Sequence, residues 1–509
     1  MTAGFRAWIV EQPFWSDPND STWLRVLVIG LAGLLLIRVV ALAMNATDLF
    51  FDEAQYWFWS VEPAFGYYSK PPLIAWIIHL STDVCGVSEF CIRLPSPLLH
   101  TATAGCVAAL GWRLYNARVG ALSGLVFATL PAVSLSAGII STDVPLLVCW
   151  AAALLLFWMV LEDEQGQWWP VLALGVALGV GLNAKYAMAW FFVCAALYFV
   201  LSPHRRAVLF NGRFLVAVAV GLAMLTPNVV WNAYNGFATV SHTADNANWG
   251  GPLMRPDKAL EFFFAQFGVF GPILFGALLV IAWRATRMRL PEADRFLLAF
   301  ALPIVIIITI QAFLSRAHAN WAAVSYVAAT VLVTATMTRD VAWGWLKGSL
   351  VLHAVVLALL IFGTTTAGLF ALPGGRDPFA RTLGWDELAS ATREHLQAAR
   401  DDGRPYAAIV SDSRAVSSQL LYYLRDEPTP VRAYRWRPKP KDHFELTRPF
   451  TGVDGKPVLL VSLVGPGSPA VRGFERATQT GMLDLPTGQT QTRKVYFFTL
   501  QRYRNALKP

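Results

Sequence analysis

The chain has 509 residues, of which 55% are hydrophobic and 15% are charged. This balance excludes an ordinary soluble protein, since soluble domains carry about 25% charged residues. The formal net charge of +8 does not by itself indicate nucleic-acid binding, because no nucleic-acid-binding motif accompanies it. The composition therefore predicts an α-helical polytopic membrane protein.

Apolar runs recur along the first 370 residues, and each can cross a hydrocarbon core of about 30 Å as a helix. We predict eleven transmembrane helices, at residues 23–44, 98–114, 119–138, 144–161, 169–184, 186–202, 214–231, 261–283, 296–314, 320–338 and 348–369. Connections on one side of these spans hold thirteen Lys and Arg residues, against six on the other side without the C-terminal region. The positive-inside rule therefore places the N-terminus in the cytoplasm and the C-terminal region outside it.

The first external loop is predicted over residues 45–97. Its segment 71–84 is apolar but short for a crossing, so we expect a helix that lies in the membrane interface. If this segment crossed the membrane instead, the C-terminal region would be cytoplasmic. Cys85 and Cys91 share this loop and could form a disulfide in an oxidising compartment, although their spacing alone does not establish one.

Two domains are predicted, a transmembrane domain at residues 1–370 and an α/β domain at residues 371–509. The second domain is predicted to contain helices near 380–401 and 418–424 and strands near 406–411, 431–436, 457–464 and 495–504. It holds 21 Lys and Arg residues against 14 Asp and Glu residues. A basic domain beside a membrane favours anionic head groups or glycolipids as partners. An ordinary solvated surface explains the same charge equally well.

An acidic pair, Asp52-Glu53, follows the first predicted span and opens an aromatic run that ends at Lys70-Pro71-Pro72. Neighbouring residues on a helix point about 100° apart, so one carboxylate can face a cavity while the other faces the protein. Glycosyl transfer needs a base that takes a proton from the acceptor hydroxyl. A solvated acidic pair, or a helix N-cap at Asp52, would explain the same residues.

Cations gather at the external ends of the predicted helices, where they could neutralise a phosphate. These candidate phosphate ligands are Lys70, Lys185, Arg316, His318 and Arg38. Prolines after Lys70 fix its backbone, and the connection around Lys185 is very short. Long side chains that reach from the membrane to the interface would explain some of them equally well.

Asp143 precedes Pro145 at the external start of a span, which is typical of a helix N-cap and also suits a second acidic site residue. Aromatic and amide side chains in the external loops could bind sugar or acceptor by stacking and hydrogen bonding. These candidates are Tyr56, Tyr67, Tyr68, His242, Trp249 and Asn320. An interfacial aromatic belt has nearly the same composition.

Four motifs follow one another in a fixed order: Asp52-Glu53-x-x-Tyr56-Trp57, Gly66-Tyr67-Tyr68-x-x-Pro71-Pro72, Ser88-Glu89-Phe90-x-x-Arg93-Leu94-Pro95 and Thr142-Asp143-x-Pro145. In this order the chain resembles the membrane glycosyltransferases of the GT-C fold. It is most similar to the bacterial proteins that resemble protein O-mannosyltransferases and to the aminoarabinose transferase that modifies lipid A.

The resemblance implies an inverting transferase that moves a sugar from a polyprenyl-phosphate donor to lipid A, lipopolysaccharide or another envelope glycan. The reaction would take place at the periplasmic face of a bacterial inner membrane. The resemblance also implies roles for four residues: Asp52 as the catalytic carboxylate, Glu53 as its partner, Asp143 as the second acidic position and Lys70 as the phosphate contact. The alternatives are a protein O-mannosyltransferase-like enzyme and a lipid-linked saccharide transporter or flippase.

Two positions depart from the aminoarabinose transferases, which tend to have Asp-Glu-x-Arg-Tyr and Glu-Lys-Pro. This chain has Gln55 in place of the arginine and Ser69 in place of the glutamate. Gln55 removes a candidate phosphate ligand, and Ser69 removes a carboxylate that could hold a metal ion. We therefore predict no cofactor and no essential divalent metal, and the identity of the sugar stays open.

Overall fold

The computed structural model describes residues 18–163, 165–210, 212–248, 253–453 and 455–504. The chain forms two compact units, which we call unit 1 and unit 2. Unit 1 comprises residues 1–43, 70–74 and 93–360, and unit 2 comprises residues 44–69, 75–92 and 361–509. Unit 2 resumes close to the predicted domain boundary at residue 370. It also includes most of the first external loop, which the sequence-based division assigned to the transmembrane domain.

Helices dominate the described part of the chain. In chain order they are α1 (Pro18–Ala43), α2 (Phe51–Val61), α3 (Leu73–Cys85), α4 (Glu89–Arg93), α5 (Pro95–Leu114), α6 (Ala117–Thr129), α7 (Pro131–Ser136), α8 (Asp143–Glu162), α9 (Trp168–Ala184), α10 (Trp190–Leu201), α11 (Gly212–Tyr234), α12 (Ala238–Ala247), α13 (Pro256–Val269), α14 (Pro272–Ala285), α15 (Glu292–Leu314), α16 (Ser325–Arg339), α17 (Trp343–Thr365), α18 (Trp385–Asp401), α19 (Arg414–Tyr423), α20 (His443–Thr447) and α21 (Pro469–Arg472). The strands are β1 (Ile409–Ser411), β2 (Val431–Ala433), β3 (Val458–Ser462), β4 (Phe474–Pro486) and β5 (Thr492–Tyr503).

Several helices are suited to a lipid bilayer by length and apolar composition. Among the described residues, five are long and apolar enough to cross it: α1 from Asp20, α8, α11, α15 and α17. The pair α13 and α14 meets the same criteria together and adds at most one span. The chain is therefore a multi-pass membrane protein. The structure does not reproduce the predicted count of eleven spans.

The predicted span 261–283 is two helices, α13 and α14, which are bent by 115° at the break between them. Gly271 lies in this break with a φ of 90°, a conformation that glycine adopts without steric cost. Pro272 then begins α14, where its missing N–H costs no helical hydrogen bond. A Gly-Pro pair inside an apolar run thus explains why the structure has two bent helices where the sequence predicts one continuous span.

The predicted span 119–138 is also interrupted. Helix α6 ends at Thr129, and α7 begins at Pro131. A proline cannot donate the backbone hydrogen bond that would continue α6 and is accommodated in the first turn of a new helix. Hydropathy alone does not detect such a break.

Small residues bring α9 and α11 together in unit 1. A Cβ atom placed on Gly175 would lie 2.7 Å from the carbonyl oxygen of Ala217, and one on Gly179 would lie 2.7 Å from the Cβ of Met224. Both distances are too short for any side chain, so the two backbones approach closely. This packing is typical of membrane helices, in which van der Waals contact contributes much of the association energy.

Unit 2 contains a five-stranded sheet of order β2-β1-β3-β5-β4. Strands β2, β1 and β3 are parallel, whereas β5 is antiparallel to β3 and to β4. Four of the five strands correspond to predicted ones. The sequence analysis did not predict β4, because most of its side chains are exposed and lack the apolar alternation of a half-buried strand. Cys85 and Cys91 form a disulfide in this unit.

The segment before α2 is hydrogen-bonded to the C-terminal region within unit 2. The Gln419 side chain donates to the carbonyl oxygen of Leu49 at 2.7 Å, and the Leu49 N–H donates to the Tyr423 hydroxyl at 3.0 Å. The ring of Trp57 on α2 meets that of Tyr422 edge-on at 4.9 Å. These contacts fix the beginning of α2 against α19.

Asp48 belongs to the same segment, and its carboxylate accepts the N–H of Trp385 at 2.7 Å. Burial raises the pKa of Asp48 to about 6, and the negative charges of Glu387, Asp386 and Glu89 add to the effect. Because the folded state holds this proton more tightly than the unfolded state does, stability falls as the pH rises from about 4 through 6.

We expect Asp48→Asn to raise the thermal unfolding midpoint at pH 7.5 by about 2–4 °C, since asparagine keeps a hydrogen-bond acceptor without a charge. The gain should shrink at pH 4.5. Intrinsic tryptophan fluorescence of the detergent-solubilised protein measures both midpoints. The control is Asp426→Asn, which alters an exposed carboxylate of the same unit and should give no pH-dependent gain. An equal gain at both pH values would contradict the prediction.

Candidate active site

The acidic pair lies in the first turn of α2, and its two carboxylates face different surroundings. Glu53 is buried, and its Oε2 accepts the backbone N–H of Phe50 at 2.8 Å. It therefore satisfies a donor at the start of the helix, where a negative charge is favourable. The side chain of Asp52 is 37% exposed. Asp52 is thus the member of the pair that a substrate can reach.

Arg414, the first residue of α19, pairs with Asp52. Its Nη1 donates to Asp52 Oδ1 at 2.8 Å and to Gln55 Oε1 at 3.2 Å. The guanidinium lies 4.7 Å from the ring centroid of Phe51, in the geometry of a cation–π contact. Three contacts thus orient Arg414 beside the exposed carboxylate.

The second carboxylate oxygen of Asp52, Oδ2, has no hydrogen-bond partner among the residues that the structure describes. Arg414 therefore fixes the carboxylate through one oxygen and leaves the other able to accept a proton. An oriented carboxylate with one open oxygen is what a general base requires.

In unit 1, Asp143 organises a second polar cluster. Its Oδ1 accepts a hydrogen bond from Lys185 Nζ at 2.7 Å, and its Oδ2 accepts one from Asn320 Nδ2 at 2.8 Å. Asp143 is the first residue of α8 and Thr142 occupies the cap position, so Asp143 is not the N-cap that the sequence left open as the alternative to a site residue. Because both of its oxygens are occupied, Asp143 is placed to position Lys185 and Asn320.

The pKa of His318 reflects the positively charged groups in this part of unit 1. Burial is the largest cause that lowers its pKa, and the charges of Arg316, Lys185 and Lys70 lower it further. Three of the predicted phosphate ligands thus lie within electrostatic reach of a fourth, His318. A neutral imidazole among three cations leaves a net positive field that favours an anion.

Known proteins resemble both the sequence and the fold. The family of dolichyl-phosphate-mannose-protein mannosyltransferases matches residues 69–231. The lipid A galacturonosyltransferase RgtD of Rhizobium johnstonii is 36% identical over 419 residues, which cover 81% of this chain and 85% of the relative. This chain belongs to the GT-C membrane glycosyltransferases.

Solved structures share the fold of this glycosyltransferase. The apo structure of ArnT from Cupriavidus metallidurans has a TM-score of 0.62 at 17% identity and covers 94% of this chain and 98% of ArnT. The structure of the same protein bound to undecaprenyl phosphate has a TM-score of 0.61 at 16% identity, covering 92% and 97%. At this identity the similarity concerns the fold alone.

Arg38, the fifth predicted phosphate ligand, lies on α1 and is 4% exposed. Its Nη2 donates to the carbonyl oxygen of Ala128. Its Nε and Nη1 have no hydrogen-bond partner among the described residues. The described hydrogen bond of Arg38 is therefore made inside the helical core of the glycosyltransferase, and it does not involve the cluster around Asp143.

The predicted sugar contacts on the first external loop are largely occupied by the protein itself. The Tyr67 hydroxyl donates to the carbonyl oxygen of Trp59 at 2.8 Å, and the two rings stack at 4.5 Å. The Tyr68 hydroxyl donates to the carbonyl oxygen of Pro440 at 2.9 Å. Tyr56 is buried with its ring centroid 5.2 Å from that of Trp59. These three tyrosines stabilise the loop.

The remaining predicted sugar contacts are dispersed. His242 lies on α12, and its Nε2 pairs with Asn246 Nδ2 at 3.0 Å. Asn320 is bound to Asp143. Trp249 lies outside the described residues. Over the described ranges, no three His, Cys, Asp or Glu side chains are grouped as a metal site requires. The independence from metal ions stays a prediction.

Sequence reasoning missed Arg414, the cation that contacts the exposed acid. Its only sequence signal is the excess of basic residues after position 371, which does not distinguish one arginine from another. Its contact with Asp52 joins residues that are 362 positions apart, and no local pattern encodes such a pair.

We expect Lys185→Met to raise the pKa of His318, because the substitution removes one of the positive neighbours that lower it. Modification of His318 by diethyl pyrocarbonate, quantified by mass spectrometry over pH 5–8, reports the neutral fraction. Lys347→Met serves as the control, since Lys347 is exposed on α17 and does not contribute to the His318 pKa. A titration midpoint unmoved by Lys185→Met would contradict the shared electrostatic environment.

Proposed function

We propose that this glycosyltransferase moves a galacturonosyl group from a polyprenyl-phosphate donor to lipid A, with inversion at the anomeric carbon. The observation that carries the proposal is the open oxygen of Asp52, in a chain that is 36% identical over 419 residues to a lipid A galacturonosyltransferase. The structure that shares its fold and is bound to undecaprenyl phosphate supports the choice of donor lipid.

The proposed reaction is a single displacement. A hydroxyl oxygen of the acceptor attacks the anomeric carbon, and the bond from that carbon to the donor phosphate oxygen breaks. The phosphate leaves on its polyprenyl chain with the bonding electron pair. The hydroxyl proton moves to Asp52 Oδ2, the carboxylate oxygen that Arg414 does not occupy. One displacement inverts the configuration, so a single carboxylate is sufficient.

We propose that the cations of unit 1 bind the phosphate group of the donor lipid. Lys185, Lys70 and Arg316 supply the positive field that also acts on His318. Asp143 holds Lys185 in place. Preorganised cations can neutralise a phosphate group in place of a divalent metal ion. We therefore propose that the transfer needs no divalent metal ion.

We further propose a bacterial inner-membrane location, with the N-terminus in the cytoplasm and the C-terminal region in the periplasm. Four arginines that the topology places in cytoplasmic connections form ion pairs with carboxylates. Those carboxylates lie in connections that the topology also places in the cytoplasm, which supports the assignment of all these connections to one face of the membrane. These pairs are Arg113 with Glu162, Arg205 with Glu292, Arg284 with Asp340 and Arg339 with Asp294. The disulfide in the first external loop suits an oxidising compartment.

We expect Asp52→Asn to lower kcat at least 100-fold with little change in donor binding, because the amide cannot take the proton. Transfer of radiolabelled sugar from polyprenyl phosphate to lipid A in membrane vesicles measures kcat. Glu62→Gln is the matched control, since Glu62 follows the last turn of the same helix and pairs with Arg448 of the C-terminal region. It should stay within about twofold of the wild type. Undiminished transfer by Asp52→Asn would exclude Asp52 as the base.

The topology predicts that alkaline phosphatase fused to the C-terminus of the full chain is active in cells, whereas green fluorescent protein at that position is dark. Alkaline phosphatase folds only where disulfides form, which makes it a reporter of the periplasm. Fusions after Lys347, in a predicted cytoplasmic connection, should show the opposite pattern. Fluorescent C-terminal fusions would place the C-terminal region in the cytoplasm.

A further inference from the structure

Three arginines of the C-terminal region lie over phenylalanine rings of the segment that carries the proposed base. Arg381 lies 4.7 Å from the ring centroid of Phe50, Arg414 lies 4.7 Å from that of Phe51, and Arg448 lies 4.7 Å from that of Phe58. Only Arg414 among them contacts Asp52. All three arginines stack on a ring at the same distance, so stacking alone does not explain why Arg414 also contacts Asp52.

Arg414 uses only part of its hydrogen-bonding capacity. Nη1 makes both bonds, to Asp52 and to Gln55. Among the described residues, no acceptor binds Nε or Nη2, and the side chain is 34% exposed. The Nε and Nη2 donors point in parallel from one edge of the guanidinium, which is the geometry that binds a carboxylate through two hydrogen bonds.

The surroundings of this edge leave room for one more negative charge. Asp52 balances the single charge of Arg414, while Gln55, its other hydrogen-bond partner, is uncharged. The positive charge of Arg414 also acts on the carboxylate of Asp442. Oδ1 of that carboxylate, however, accepts the N–H groups of Phe444 and Glu445 at the start of α20. Arg414 therefore has a free donor edge that the protein itself does not fill.

We propose that the Nε and Nη2 edge of Arg414 binds the carboxylate of a hexuronic acid in the donor, and that Arg414 is the residue which selects this class of sugar. This inference rests on the proposed function. In a hexuronic acid the carboxylate is attached to C5, which the ring oxygen joins directly to the anomeric carbon. One sugar ring can therefore present its acid group to Arg414 while its reacting carbon lies near Asp52.

The same geometry rejects other sugars. A neutral hexose, with a hydroxymethyl group in place of the carboxylate, would leave the edge of Arg414 without a charged acceptor. An amino sugar would bring a second cation to it. Sites built to bind a charged group discriminate strongly against analogues that lack it, because their own polar atoms are then left unpaired. The ion pair with Asp52 and the bond to the sugar thus use different donors of one guanidinium.

The test compares two donors that differ only at C6, undecaprenyl phosphate galacturonate and undecaprenyl phosphate galactose. Full-length protein in lipid vesicles transfers each sugar to lipid A, and kcat/KM is measured for both. The wild type should prefer galacturonate by about 10- to 100-fold. Arg414→Gln should reduce this preference by at least tenfold. The matched control, Arg448→Gln, removes an arginine with the same stacking distance and a carboxylate partner on the same segment, and it should keep the wild-type preference.

Arg414→Lys is a second variant, for use if Arg414→Gln does not fold. Lysine keeps the charge but loses the two-donor edge, so its preference should lie between those of the wild type and the glutamine variant. An equal loss with both donors would show that Arg414 only positions Asp52, and it would overturn the inference. A wild type that uses both donors equally would overturn it as well. A wild type that transfers neither sugar would instead overturn the proposed function, and the inference with it.

Discussion

The contact between α2 and α19 determines where the proposed base lies. Helix α2 has only eleven residues, and isolated helices of this length are marginal in water. Gln419 and Tyr423 bind the backbone of Leu49 just before it, and Arg414 binds Asp52 in its first turn. The exposed carboxylate therefore depends on residues that follow it by more than 360 positions. Substitutions in the C-terminal region can impair the reaction without touching a substrate.

Charge is distributed differently in the two units. In unit 2, Asp52 is held through one oxygen and its partner Arg414 retains free donors, so both groups can bind further molecules. In unit 1, both carboxylate oxygens of Asp143 accept a hydrogen bond, one from Lys185 and the other from Asn320. Two carboxylates that look alike in sequence thus have different surroundings, which suit Asp52 to the proposed role of base and Asp143 to holding a cation. They differ in how many carboxylate oxygens accept a hydrogen bond among the described residues, which is one in Asp52 and both in Asp143.

Much of the fold was predictable, because apolar length and composition report directly on the bilayer. The interruptions at Gly271-Pro272 and at Pro131 were readable from the residue types but not from hydropathy. Strand β4 could not be predicted from apolar alternation, because its side chains are mostly exposed. Asp52 was predicted as a site residue because an ionisable group beside a membrane span is costly, and Lys185, Arg316 and His318 because they fall in short external connections. Arg414 could not be found, since its partner is distant in sequence and basic residues are common around it.

Unit 2 combines residues from both ends of the chain, and this has a consequence for biosynthesis. Helix α2 leaves the ribosome early, whereas Arg414 follows Asp52 by 362 residues. A nascent chain therefore holds its carboxylate without the arginine that orients it until nearly all of the protein has been made. Incomplete chains and proteolytic fragments that lack the C-terminal region have no paired base. In such copies, Asp52 lacks the ion pair that holds its carboxylate beside α19 in the full chain.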